Sequence, residues 1–307
     1  MYFNIHNQMK QIKKTVILFL LFILSSLFSF AQDDLLKMME EEVPKQKEFT
    51  TATFKGTRLI NFHTIETGGK RSLDFRIAHH FGDMNGGAYQ FFGLDGGASI
   101  RLGLEYTYDG RLQFAIGRSS YEKTYDSFLK YRLLRQTTDN KMPISMTLLS
   151  CMFYNTTKDP DKTINGYDRF QYASSRLSYA HQIIIARKFN EHLSLQVSPS
   201  LVHFNLVDGS NDKNTMYALA FAGRYKLTRR VAVTAEYAKR LTEFTNSTKY
   251  YDSVGLGFDI ETGGHVFQVY VTNSFGLIEN QFLPRTTSSV KDLAIKLGFN
   301  ISRMFTI

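Results

Sequence analysis

The chain has 307 residues, of which 37 are Lys or Arg and 28 are Asp or Glu, so its formal net charge is +9. A single cysteine, Cys151, excludes any intrachain disulfide. The basic residues are dispersed and form neither a clustered basic helix nor a known nucleic-acid motif, so nucleic acid is not an expected partner.

The N-terminus predicts export. Three lysines precede an apolar run at residues 15–28, and Ser29-Phe30-Ala31 places small residues where a signal peptidase cleaves. We therefore expect residues 1–31 to be a removed signal peptide. The alternative is an anchoring transmembrane helix, for which the apolar run is short. Beyond Ala31 the sequence has no run of about 18 apolar residues, so no membrane-spanning helix is expected there.

The rest of the chain alternates between apolar and polar residues. Leu73, Phe75 and Ile77 alternate with Asp74 and Arg76. The same alternation recurs at residues 100–106, 112–117, 231–237, 253–259, 267–272 and 293–301. Period two indicates β-strands with one apolar and one polar face.

Segment length and composition decide which solvent each face meets. The polar faces are rich in Gly, Ser, Gln and paired charges, and the segments run about ten residues, as a membrane strand requires. A soluble sandwich has shorter strands and Pro-rich turns, whereas this chain has 5 prolines. The sequence therefore predicts an all-β fold, a single up-and-down antiparallel transmembrane β-barrel at residues 51–307 with its polar face inward.

The connections predict the arrangement of the ends. Three segments each have the pattern of a strand, a short polar turn and a second strand: "LEYTYDGRLQFAIG", "IIIARKFNEHLSLQV" and "AGRYKLTRRVAVTAEY". This pattern predicts tight hairpins at one end of the barrel. Longer loops are expected at the other end, at residues 82–97, 155–168, 208–214, 242–250 and 275–289. About thirteen candidate strands result, and the even counts of bacterial barrels favour about twelve, with roughly ten to fourteen allowed.

One stretch, residues 117–136, mixes charged and aromatic residues. We interpret residues 127–136 as a strand with Leu129 facing lipid and with Lys130 and Arg132 facing the lumen, and residues 119–126 as its connection. The following strand is placed at residues 143–154. On this interpretation, the apolar residues of the strand meet lipid and its charged residues meet the polar lumen.

A charge cluster is predicted in the lumen. Its members are Asp74, Arg76, Arg101, Glu105, Lys130 and Arg132, with Arg118, Glu122, Lys123, Asp126 and Arg135 nearby in sequence. One interpretation is a cationic lining that draws small anions into a pore. The other is a ladder of ion pairs that fills and closes the barrel.

Neither a metal site nor a catalytic site is assigned. His79, His80 and Asp83, with His63 from a preceding strand, are metal-ligand types, but adjacent residues of a strand point to opposite faces. A lipid hydrolase would need a serine within reach of a histidine. Ser178 and His181 lie three residues apart and so on opposite faces, and no G-x-S-x-G word occurs.

Three words of the sequence resemble a known family. "TFKGTRLIN", "LDFRIAHHFGDMNGGAYQFFGLDGG" and "GRSSYEKTYDSFLKYRLLRQ" are similar to the front half of a Bacteroidota family of exported outer-membrane β-barrel proteins of unknown function. The resemblance implies a barrel in the outer membrane of a Gram-negative bacterium, in contact with its lipid. It implies no catalytic residues and no cofactor.

The expected function is a passive channel or transport component for small solutes, which would be anionic if the cationic lining forms an open pore. The alternative is a non-conducting barrel that anchors or assembles an envelope complex. Before the barrel, residues 32–50 form an acidic segment in which Leu35, Leu36, Met38 and Met39 predict a short helix ending before Pro44. This segment is expected to plug the lumen or dock a periplasmic or envelope protein partner; a solvated tether is the alternative.

Overall fold

The computed structural model of the chain describes residues 47–158, 169–207, 212–243, 248–262 and 265–307. The predicted signal peptide, the predicted helix before Pro44 and parts of three predicted long loops lie outside these residues. Among the residues described, no helix has the length and apolar character needed to cross a bilayer.

Over these residues, twelve antiparallel strands close into one barrel. Each strand pairs with the next along the chain, and the first pairs with the last, with Ser72 opposite Thr306. The predicted strand number and up-and-down topology are confirmed. The strands are β1 (Ser72–Asp83), β2 (Ser99–Thr107), β3 (Leu112–Ser119), β4 (Thr124–Leu134), β5 (Ser145–Asn155), β6 (Leu177–Lys188), β7 (Leu193–Phe204), β8 (Thr215–Lys226), β9 (Val231–Arg240), β10 (Ser253–Thr262), β11 (His265–Thr272) and β12 (Lys296–Thr306).

The helical pieces are short and lie between strands. The 3-10 segments are Met84–Gly93, Tyr121–Lys123 and Ala173–Arg176, and a single α-helical turn is Glu279–Phe282. The longest connections, which follow β1, β5, β9 and β11, lie at one end of the barrel. The short turns after β2, β6, β8 and β10 lie at the other, because alternate connections of a meander share an end.

The exterior of the barrel is apolar, whereas its interior buries charged and polar residues on β1, β2, β11 and β12. On β5, β6 and β8 the interior also carries a buried apolar cluster that includes Phe153, Ile184 and Met216. Leu104 and Ile116 have 42% and 66% of their surface exposed, whereas Arg101 and Glu105, next to them in sequence, have 1% and 0%. A protein surrounded by water buries its apolar residues and exposes its charges. The reversed pattern fits a barrel whose outer face meets hydrocarbon.

Three short turns share one stabilising device, which explains the similarity of the three connecting words. The Oδ1 atom of Asp109 accepts hydrogen bonds from the backbone N–H groups two and three residues later, at 2.8 and 2.7 Å. Asn190 Oδ1 and Thr228 Oγ1 accept the equivalent pairs of bonds in their own turns. The backbone N–H groups of Leu112 and Arg111, which donate to Asp109, hold the pKa of its carboxyl below the ordinary value. A side-chain oxygen that mimics a turn carbonyl fixes each hairpin locally.

Several strand boundaries differ from the prediction; β5, for example, begins at Ser145 rather than at residue 143. Strand β4 begins at Thr124 rather than at residue 127, because Ser119 of β3 pairs directly with Thr124. Strand β12 begins at Lys296, so Leu293 does not belong to it. Leu293 has a φ of +53°, and its N–H donates to the carbonyl of Val290, so alternation there continues through a turn.

The first wall strand of the described residues begins at Ser72, after residues 54–66. Residues 54–66 form no wall strand but a hairpin inside the barrel, which we call the inner hairpin. Leu59 N–H donates to Phe62 O at 2.9 Å and Thr64 N–H to Thr57 O at 3.0 Å. His63 therefore lies in the lumen. The sequence had suggested instead that it belongs to a strand preceding β1.

A second segment enters the barrel from the opposite end. We call residues 273–295, between β11 and β12, the infolded loop. The four residues of its helical turn are all buried, and the turn contacts β6 and β7. The ring of Phe282 stacks on Phe62 of the inner hairpin with centroids 5.4 Å apart. The two segments therefore meet inside the barrel.

We expect Ile116→Arg to destabilise the barrel in lipid vesicles by about 2–4 kcal/mol, the cost of arginine near the bilayer midplane. Leu293→Arg is the matched control, because Leu293 is equally exposed, at 68%, but lies in a loop. Denaturant titration of both variants in the same vesicles measures the difference. Equal losses would contradict a lipid-facing position for Ile116.

Candidate functional site

All six predicted lumen residues lie on the buried inner side of β1, β2 and β4. Arg76 and Arg101 each have 1% of their surface exposed, Lys130 has 0% and Arg132 has 9%. Asp74 and Glu105 are equally buried. The four cations differ in their partners. Arg101 pairs with the wall, Lys130 and Arg132 bind the inner hairpin, and Arg76 contacts both.

Arg101 pairs with the wall. Its Nη2 lies 2.5 Å from Asp126 Oδ2, and its Nε donates to Asp126 Oδ1 at 3.0 Å. Two glycines leave room for this bidentate pair, since a Cβ at Gly103 or Gly117 would lie 2.6 Å from the Arg101 guanidinium. The pair joins β2 to β4 across β3 and involves no lumen segment.

Arg76 connects the wall to the inner hairpin. Its guanidinium lies 3.3 Å from Asp74 Oδ2 and 3.7 Å from Glu105 Oε1. The same guanidinium donates to Thr57 Oγ1 at 3.0 Å, and Thr57 in turn donates to Glu105 Oε2 at 2.9 Å. Thr57 therefore completes a network of β1 and β2 charges.

Lys130 and Arg132 bind the inner hairpin itself. Lys130 Nζ donates to the carbonyls of Thr57 and Glu66 at 3.2 and 2.5 Å. Arg132 Nε donates to the carbonyl of Ile65 at 3.2 Å, and its Nη2 pairs with the Glu66 carboxylate. These cations use the hairpin for partners that the wall does not supply.

Glu236 of β9 holds the tip of the inner hairpin. Its carboxylate accepts the backbone N–H groups of Ile60, Asn61 and Phe62 at 3.3, 3.0 and 3.1 Å. A Cβ at Gly255 would lie 3.0 Å from both Glu236 Cγ and Ile60 Cδ1, so glycine on β10 makes room for this contact. Three N–H groups converging on one carboxylate form a strong, charge-assisted clamp.

Sequence reasoning did not single out Glu236. A signal existed, because its partners on the neighbouring strands are Ala222 and Gly255, neither of which is charged. A buried carboxylate must be paired or hydrogen-bonded. A lone acid among small residues on a polar strand face therefore indicates donors from another segment.

Amide side chains complete the attachment of the inner hairpin. Gln196 of β7 donates to His63 O at 2.8 Å and accepts from Ile65 N–H at 3.1 Å. Gln268 of β11 and Asn300 of β12 donate to further hairpin carbonyls at 3.2 and 2.8 Å. Contacts therefore reach the hairpin from both sides of the barrel.

Four members of the wider predicted cluster lie away from the centre of the lumen. Arg118 is on the outward face of β3, with its guanidinium 5.3 Å from the Tyr125 ring. Glu122 and Lys123 belong to the turn between β3 and β4. Arg135 follows β4 and lies 4.2 Å from the ring of Phe49. These residues were predicted to share one lumen cluster, but alternation and turn position separate them.

The other candidate residues do not converge. His80 is buried inside the barrel, whereas His79 stacks on Phe299 with centroids 5.0 Å apart. Asp83 lies 2.6 Å from the Lys296 ammonium. Ser178 is buried and His181 is exposed, on opposite faces of β6.

The closed sheet, its apolar exterior and the charged residues buried inside it define a membrane-spanning β-barrel of the outer-membrane class. The chain belongs to the family described as "Membrane bound beta barrel domain (DUF5777)", whose model matches residues 54–305. The match includes the inner hairpin as well as the wall.

Several solved structures are similar to the chain at low identity. The NanC porin is 7% identical with a TM-score of 0.46, covering 76% of this chain and 99% of that chain. The KdgM porin is 9% identical with a TM-score of 0.43, covering 77% and 99%. The outer membrane phospholipase A of Escherichia coli is 13% identical with a TM-score of 0.40, covering 78% and 91%. No curated protein matches the sequence.

We expect Asp126→Asn to lower the free energy of unfolding by about 3–5 kcal/mol, because it leaves the Arg101 charge buried without its anion. Asp139→Asn is the matched control, since Asp139 pairs with Lys141 on the surface at 3.8 Å, and its effect should be small. Urea unfolding in detergent micelles compares the two. Similar losses in both variants would contradict a buried pair.

Proposed function

We propose that the protein is an outer-membrane transport component that is closed at rest by its inner hairpin and passes small anionic solutes when the hairpin is displaced. The observation that carries this proposal is the clamp between Glu236 and three consecutive N–H groups at the hairpin tip. The hairpin is held by side chains of the wall rather than by strand pairing. Its attachment can therefore be released without opening the barrel sheet.

The preference for anions follows from the charges that displacement would uncover. Lys130 and Arg132 find their hydrogen-bond acceptors on the hairpin. Arg101 keeps Asp126 as its partner in either state. Displacement thus leaves two wall cations without acceptors, against the single carboxylate of Glu236, and cationic linings attract small anions.

Displacement needs an external force. Each hydrogen bond to a charged group contributes about 1.5–3 kcal/mol, so several of them keep the hairpin in place at rest. The chain leading into the hairpin lies at the short-turn end, where Phe49 bridges to Thr137, and short turns face the periplasm in such barrels. A periplasmic or envelope protein that binds residues 32–50 could pull on the hairpin directly.

The second candidate function is a non-conducting barrel that anchors an envelope complex. The observation that favours it is the pairing of the buried lumen charges with the wall and the hairpin. Both candidates predict a silent protein at rest. They differ in what happens when the hairpin is absent.

Single-channel recording in planar bilayers tests the proposal. The parent protein should be silent or open rarely, and a variant with residues 54–66 replaced by a Gly-Ser linker of equal length should give stable current steps. Glu236→Ala removes about 1.5–3 kcal/mol of bonding, so its openings should be roughly tenfold or more above the parent. Glu191→Ala, in an exposed turn, is the control. Heat-dependent gel migration confirms folding of each variant.

A folded linker variant that carries no current would overturn the transport proposal and favour the anchoring barrel. Continuous current through the parent protein would overturn closure by the hairpin.

The reversal potential under a salt gradient tests anion preference. In the linker variant, Lys130→Glu should shift the reversal potential toward cation selectivity because it inverts a lumen charge. Lys239→Glu is the matched control, since Lys239 is exposed and pairs with Asp252. Equal shifts from both substitutions would show that Lys130 does not line the path.

A further inference from the structure

Three potential metal ligands meet where the inner hairpin, the infolded loop and the wall come together. His63 lies on the hairpin, Cys151 on β5 and Glu279 in the helical turn of the loop. Their exposed fractions are 1%, 3% and 1%. One ligand atom from each lies within 4.8 Å of the other two. Residues far apart in sequence thus bring an imidazole, a thiol and a carboxylate to one buried point.

The imidazole of His63 is buried without a well-formed hydrogen bond, although its Nε2 lies 3.4 Å from a Glu279 oxygen. Neither of its ring nitrogens has a hydrogen-bond partner among the described residues. A buried polar atom left without a partner is costly. The ring packs edge-on against Phe128 with centroids 4.6 Å apart, so its position is fixed by packing.

The spacing of two of these groups matches ligands of one ion. His63 Nε2 lies 3.4 Å from Glu279 Oε1. Tetrahedral zinc with Zn–N and Zn–O bonds of about 2.0–2.2 Å places such ligand atoms about 3.3–3.5 Å apart. Cys151 approaches from the wall side, where a small movement of its side chain would bring the sulfur into coordination.

Two of the three ligands can carry the negative charge that a divalent ion requires. A thiolate and a carboxylate together neutralise its two positive charges. Arg58 Nη1 lies 3.2 Å from Glu279 Oε1, the same oxygen that faces His63, but a carboxylate oxygen has two lone pairs and can accept from a guanidinium while it binds a metal. Arg58 would then orient the ligand from outside, as outer partners of metal sites do.

We propose that His63, Cys151 and Glu279 bind one transition-metal ion of the zinc class, which fastens the inner hairpin to the infolded loop and to β5. Nitrogen, sulfur and oxygen donors of this kind suit zinc, and three protein ligands leave the fourth tetrahedral position to a water molecule. The proposal goes beyond transport, because metal binding can be measured in a closed barrel whether or not the barrel ever conducts.

Cobalt(II) substitution tests the site directly. The full chain is refolded in detergent with Co²⁺ and a phosphine reductant, and excess metal is removed. One Co²⁺ per chain should remain bound, with a near-ultraviolet band from sulfur-to-cobalt charge transfer, and added Zn²⁺ should abolish the band. Cys151→Ser should lose the band, and His63→Gln should weaken metal retention at least tenfold. His181→Gln, on the exposed face of β6, is the matched control.

The wild-type measurement keeps the test decisive even where a variant fails to fold. A folded wild-type barrel that retains no stoichiometric Co²⁺ would overturn the proposal. So would a charge-transfer band that persists in folded Cys151→Ser, or metal retention that changes equally in His63→Gln and His181→Gln. The outcome is independent of the conductance experiments, because it is read by absorption and metal content.

Discussion

A peptide segment inside a barrel has no neighbouring strand to pair with, and this constraint determines much of the wall. Every N–H and C=O group of the inner hairpin that its own bonds leave free must be satisfied by a side chain. Glu236 accepts N–H groups at the tip, whereas Lys130 and Asn300 donate to carbonyls along the hairpin. The polar face of the sheet therefore serves as the hydrogen-bonding partner of a backbone.

The same constraint explains the small residues of the polar face. A side chain at Gly255 would collide with the hairpin tip, and one at Gly117 would collide with the Arg101 and Asp126 pair. Judged from the sequence alone, small residues on the polar face suggest the lining of an open pore. In the folded chain they provide the space in which the hairpin and the buried ion pairs fit, at interior packing density.

The sequence predicts those features that depend on neighbours along the chain. Alternation in β2 and the turn chemistry at Asp109 act over a few residues, so strand faces and hairpins can be read directly. The inner hairpin cannot, because its contacts are remote: Asn61 and Glu236 are 175 residues apart, and Ile60 and Asn300 are 240 apart. Its own residues are buried on all sides, which leaves no periodic pattern. The approach of Cys151 to the inner hairpin and the infolded loop cannot be predicted from the sequence for the same reason.

The two interpretations of the lumen charges describe one wall with and without its hairpin. With the hairpin in place, the Lys130 and Arg132 charges meet carbonyls and a carboxylate, which is the closed state of the proposal. In the proposed displaced state the same two cations line the path, while the Arg101 and Asp126 pair stays intact and supports the sheet. The property that separates a filled barrel from a channel therefore lies in how firmly Glu236 holds the hairpin tip. The infolded loop adds to that hold, because Phe282 packs on Phe62 from the opposite end, so displacement must break an apolar contact as well as the clamp.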